Sequence, residues 1–95
     1  MKFGLSEEIY ENIKTIAKRY EYCFKIFGSR ARGDYKNYSD IDIAIFENVN
    51  EKDEYRIRND FDLLEIPYTI DLVFINANTK QELLNSINRE GVDLL

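Results

Sequence analysis

Asp40 and Asp42 are separated by one residue in the run Asp40-Ile41-Asp42-Ile43-Ala44-Ile45-Phe46. Alternate side chains of an extended chain share a face, so the two carboxylates point the same way. Carboxylates that close repel each other unless a proton or a cation neutralises them. The opposite face of the run is isoleucine at 41, 43 and 45, which offers no counter-charge. A third acid, Asp71, stands alone in the apolar stretch Thr69-Ile70-Asp71-Leu72-Val73-Phe74-Ile75. A charge there is costly unless it is paired or binds a metal. Asp40, Asp42 and Asp71 are therefore the candidate catalytic and metal-ligating set, and oxygen-only donors of this kind suit Mg2+. Upstream, Gly28 and Ser29 close a β-rich run. Glycine lets a ligand approach the main chain, and a serine hydroxyl with free N–H groups can take phosphate oxygens. Arg30 and Arg32 can add positive charge in the same segment, although a solvated loop accounts for them equally well. Phosphate donors beside an acidic metal site are the division of labour of two-metal phosphoryl transfer.

Six segments must position these residues. Ser6 caps a helix over residues 7–20, with Glu7 and Glu8 in its positive first turn and Ile9, Ile13, Ile16, Ala17 and Tyr20 along one face. Residues 22–27 form a first strand, residues 28–39 a loop, and residues 40–46 a second strand of alternating character. Asn50 caps a second long helix, with Tyr55, Ile57, Phe61 and Leu64 as its apolar stripe and Pro67 as its stop. Residues 68–75 form a third strand. Asn78 with Gln81 resembles a capping box for a last helix, and Gly91 is its natural C′ stop. The order is α-β-β-α-β-α. A helical crossover makes strands two and three parallel neighbours, whereas the first two strands are expected to be antiparallel. The fold class is α/β (α+β), a small mixed sheet with helices mainly on one face. In the parallel register, Asp71 lands beside Asp42.

Composition narrows the functions open to such a fold. The chain has 95 residues, enough for one small domain over 1–95 with a modest core. It lacks histidine, which excludes Ser-His-Asp and Cys-His catalysis and His-containing zinc sites. One cysteine, Cys23, cannot form an internal disulfide and suits a reducing cytoplasm. The formal charge of −5 argues against broad binding to nucleic acid and favours a neutral or basic partner. No leader or membrane-spanning segment is expected. An EF-hand fails, because Ile43 falls where that loop needs an oxygen ligand.

Gly28-Ser29, ten residues and then Asp40-Ile41-Asp42 match the G-S-x10-D-x-D signature of the DNA polymerase β-like nucleotidyltransferase superfamily. The run GSRARGDYKNYSDIDIAIF, with Ser39 before the acidic pair, and the ending INREGVDLL resemble its minimal nucleotidyltransferase (MNT) branch. That resemblance covers the chain from end to end. It implies Mg2+-dependent transfer of a nucleoside monophosphate, with two ions held by Asp40 and Asp42, and with ATP the expected donor. Asp71 would complete the metal site on the acceptor side, while Gly28, Ser29, Arg30, Arg32 and Ser39 would form the nucleotide side. Members of the branch commonly act as antitoxins beside a HEPN-domain ribonuclease toxin, and some adenylylate a tyrosine of that toxin. The resemblance therefore implies a protein partner and a hydroxyl acceptor. A binding module that neutralises its partner by occlusion alone is the alternative.

Overall fold

In the computed structural model, which describes residues 2–95, Ser6 opens the first helix, α1 (Glu7–Lys18), its hydroxyl accepting from the Ile9 N–H at 3.2 Å. Ile13, Ile16 and Ala17 form its buried stripe. Strand β1 (Cys23–Phe27) follows, and a single helical turn, α2 (Ser29–Arg32), occupies part of the segment expected to be loop. Four residues carry no periodicity from which a helix could be read. Strand β2 (Ile41–Phe46) leads to α3 (Glu51–Asp62), whose cap is Asn50; the Asn50 side chain accepts from the Asp53 N–H at 2.8 Å. Ile57 and Phe61 are the buried positions of α3, but Tyr55 is 74% exposed and does not belong to the stripe.

After β3 (Ile70–Phe74) the chain turns into α4 (Gln81–Glu90). The expected Asn78 capping box does not form. Asn76 and Thr79 instead tie the turn together, the Thr79 hydroxyl accepting from the Asn76 N–H at 2.9 Å and the Asn76 side chain from the Asn78 N–H at 2.7 Å. Lys80 is left at the cap without a side-chain bond. Gly91 ends α4 as expected, in an extended conformation with φ −68° and ψ 143°. Glycine is needed there because a Cβ would press against the Ile87 carbonyl oxygen.

That extended Gly91 launches an unexpected strand, β4 (Val92–Asp93), antiparallel to β1. The sheet order is β3-β2-β1-β4. As the connections require, β1 and β2 are antiparallel and β2 and β3 are parallel. Two apolar clusters sandwich the sheet. Phe24, Ile26, Ile41, Ile43 and Ile45 pack with α1 and α3 on one face, where Leu94 also inserts. Phe27 and Ala44 pack with Ile87 of α4 on the other. Helices thus lie mainly on one face, with α4 alone across the sheet. Among the described residues, no helix is long and apolar enough to cross a membrane.

Candidate active site

Asp42 and Asp71 are direct register partners on the parallel β2–β3 pair. Strand alternation puts them on the face that α4 covers farther along, where Ala44 and Val73 belong to the smaller cluster. The sheet end beyond α4 is therefore acidic. Asp40 lies just before β2 and is exposed, as is Asp71, whereas Asp42 is half-buried. Burial pushes the Asp42 carboxyl up to about 6, with the charges of Asp71 and then Asp40 pushing the same way. Arg32 opposes the rise and Glu90 adds to it.

Gly28 bears on the same carboxylate from β1. Phe27 is the register partner of Asp42, so Gly28 sits one residue past that pairing. A Cβ at Gly28 would collide with Oδ2 of Asp42. The main chain at Gly28 has φ 76° and ψ −158°, a conformation open essentially to glycine alone. Ser29 is the first residue of α2, and the opening N–H groups of a helical turn have no partner within the helix. The glycine-serine turn and the acidic set therefore meet at Asp42.

The two arginines part company. Arg30 is only 2% exposed. Its Nε and Nη2 donate to the Ser39 carbonyl at 3.0 and 2.9 Å, and its Nη1 donates to the Phe3 carbonyl at 2.9 Å. The Tyr68 and Tyr35 rings lie 4.5 and 5.3 Å from its Cζ. The expectation that Arg30 contacts nucleotide is thus corrected, because its guanidinium is enclosed and already engaged with the protein. It ties α2 to the residue before Asp40. Ser39 has a matching role, its hydroxyl accepting from the Lys36 N–H at 2.8 Å to close the turn that delivers Asp40. Arg32 stays on the surface, its Nε 3.2 Å from Asp34 Oδ2 and its Nη1 3.0 Å from Glu90 Oε1.

Glu90 was not among the residues singled out from the sequence. A signal existed: an acid at the end of a helix faces the negative pole of the dipole and needs a cation nearby.

The donor set suits a divalent cation in its chemistry. Asp40, Asp42 and Asp71 offer only oxygen, Asp42 holds its proton unusually tightly, and Arg32 is shared with two other acids. The set is nonetheless open. Among the described residues, no three or more His, Cys, Asp or Glu side chains stand together closely enough to hold a metal ion. Full ligation would require the exposed Asp40 and Asp71 side chains to turn inward.

A mixed sheet with a glycine-serine turn facing an acidic strand pair defines a domain of the nucleotidyl-transfer class. The family model described as polymerase beta, nucleotidyltransferase matches residues 11–95, and the chain belongs to that family. Among solved structures, the chain is similar to a protein from Sulfolobus solfataricus assigned as a nucleotidyltransferase. The two share 24% identity with a TM-score of 0.49, over 90% of this chain and 74% of the other. No curated protein matches the chain.

Proposed function

We propose that this domain transfers AMP from ATP, with Mg2+, to a hydroxyl group of a partner protein, as the antitoxin of a HEPN-type ribonuclease toxin. The observation that carries the transferase reading is the convergence on Asp42 of Gly28 from one side and Asp71 from the other. Gly28 and Ser29 receive the triphosphate tail on the opening N–H groups of α2, while the missing Cβ of Gly28 leaves the Asp42 carboxylate its place beside them. Asp40 and Asp42 hold the metal ions, and Asp71 faces the acceptor and helps to orient its hydroxyl. Bound Mg2+ supplies charge neutralisation for the phosphates and the leaving pyrophosphate. Arg30 and Ser39 keep the Asp40 end of the site in register with α2.

The protein-acceptor part rests on the resemblance to the minimal branch and on the site's form, an open sheet edge with two exposed acids. An acceptor that docks through its own interface of about 1,000 Å2 or more could supply selectivity that so few side chains cannot. The net charge of −5 suits a neutral or basic partner.

The test is incubation with labelled ATP, Mg2+ and the products of adjacent reading frames. Label on a bound partner is expected. A partner that binds tightly and takes no label would replace transfer by occlusion. Absence of both binding and labelling, with turnover of a small-molecule acceptor, would remove the antitoxin reading.

A further inference from the structure

Glu90 is the last residue of α4, where the helix dipole disfavours an acid, and its side chain is only 13% exposed. It also adds negative charge near Asp42, which Asp71 and Asp40 already burden. A residue placed against two electrostatic preferences needs a compensating role, and the structure shows its contact. Glu90 Oε1 takes Nη1 of Arg32 at 3.0 Å, across 58 residues of sequence. Asp34 takes Nε of the same guanidinium at 3.2 Å from the other side. A planar guanidinium gripped at two of its nitrogens has little rotational freedom left. Its third nitrogen, Nη2, has no protein partner among the described residues.

We propose that Glu90 is a positioning residue that, with Asp34, fixes the Arg32 guanidinium so that its free Nη2 edge meets a phosphate oxygen of the bound nucleoside triphosphate. The proposal rests on the nucleotidyl-transfer reading, in which Arg32 already belongs to the nucleotide side, and adds to it the residue that aims that arginine. Arg32 is the one arginine of α2 available for the task, since Arg30 is enclosed. An unrestrained surface arginine would lose side-chain entropy on gripping a phosphate, and prior fixation removes part of that cost. Glu90 also ties the C-terminal end of α4 to the turn after β1, so the anion contact is held by the scaffold.

The sign of one measurement separates this role from simple charge. Removing a negative group beside a triphosphate site should tighten binding if Glu90 acts only through its charge. If Glu90 aims Arg32, Glu90→Gln should weaken MgATP binding, by about tenfold for one charge-assisted contact. Calorimetric titration of the full chain with MgATP reads this, and a melting curve confirms that the variant is folded. The charge-swapped double variant, Arg32→Glu with Glu90→Arg, is the second arm. It should restore the pair and the melting temperature but not the affinity, because the cation then stands on the wrong residue. Unchanged or tighter binding in Glu90→Gln, or full affinity in the swap, overturns the proposal while leaving nucleotidyl transfer intact. Wild-type protein that binds no MgATP overturns both.

Discussion

Asp42 faces Asp71 across one rung of the parallel β2–β3 ladder, and the cation nearest to hand, Arg32, is already divided between Asp34 and Glu90. The pair is thus held together by the isoleucine core beneath the sheet and not by mutual attraction. Strands β2 and β3 pack Ile41, Ile43, Ile45, Ile70, Leu72 and Phe74 against α1 and α3, and that burial offsets the repulsion above.

The first consequence is a pH dependence of stability. The Asp42 carboxyl titrates at about 6 in the folded chain, against an ordinary value of 3.8. A raised acid contributes stability that is fully present below the ordinary value and is lost as pH rises through the folded value. Asp42→Asn should therefore raise the melting temperature at pH 7.5 and leave it nearly unchanged at pH 3.5. Discounted for the solvent that still screens the group, the gain is about 1 kcal/mol. For a domain of this size that is roughly 4–8 °C. Equal effects at both pH values would show that Asp42 carries no such strain.

Two glycines give opposite outcomes to one substitution. Gly28→Ala places a Cβ onto the Asp42 carboxylate in a backbone region that only glycine favours, and should cost about 1–3 kcal/mol. Gly33 ends α2 in the left-handed region with φ 97°, and a Cβ there meets nothing within 4 Å. Gly33→Asn should be tolerated, since asparagine enters that region readily. Melting curves separate the two, and MgATP titration should show binding lost only in Gly28→Ala. Comparable affinity in both variants would separate Gly28 from the nucleotide site.

Arg30 and Arg32 should differ in stability as they differ in surroundings. Arg30→Met strips buried hydrogen bonds from the Ser39 and Phe3 carbonyls, and each orphaned acceptor costs about 1–3 kcal/mol. Arg32→Met breaks only surface ion pairs, worth about 0–1 kcal/mol. Urea denaturation midpoints measure the contrast. A midpoint for Arg30→Met close to that of Arg32→Met would mean that the enclosed guanidinium does not brace the Asp40 turn.

These pairs also show what can be read from the chain before it folds. The register of Asp42 beside Asp71 was legible because strand alternation and the handedness of a helical crossover decide which residues share a face and a register. Arg30 was not. Its enclosure depends on Phe3, Tyr35, Ser39 and Tyr68, brought together from separate parts of the chain, and nothing in the local pattern distinguishes it from Arg32. Strand β4 escaped because two residues cannot display a period, and the turn of α2 escaped for the same reason. Asn78 misled because a capping preference is weak and the loop bonds of Asn76 and Thr79 outweigh it.

The last prediction concerns what a divalent ion does to the Asp42–Asp71 relationship. Without metal at pH 7.5, both carboxylates add negative charge to one sheet end, and Asp71→Asn should lower the titration midpoint of Asp42 toward its ordinary value. Carboxyl 13C chemical shifts followed against pH read that change directly. Without metal, Asp71→Asn and Asp42→Asn should each stabilise the chain, and the double variant should gain less than the sum, since the repulsion can be relieved only once. With Mg2+ present, the sign reverses. The wild type should gain melting temperature as the ion neutralises the set, and either single variant should lose most of that gain, because ligand and charge are removed together. Asp71 is exposed, so its substitution removes no core packing and the comparison isolates its charge. If Mg2+ stabilised Asp71→Asn as strongly as wild type, the metal site would consist of Asp40 and Asp42 alone, and Asp71 would be left as an acceptor-side group without a ligand role.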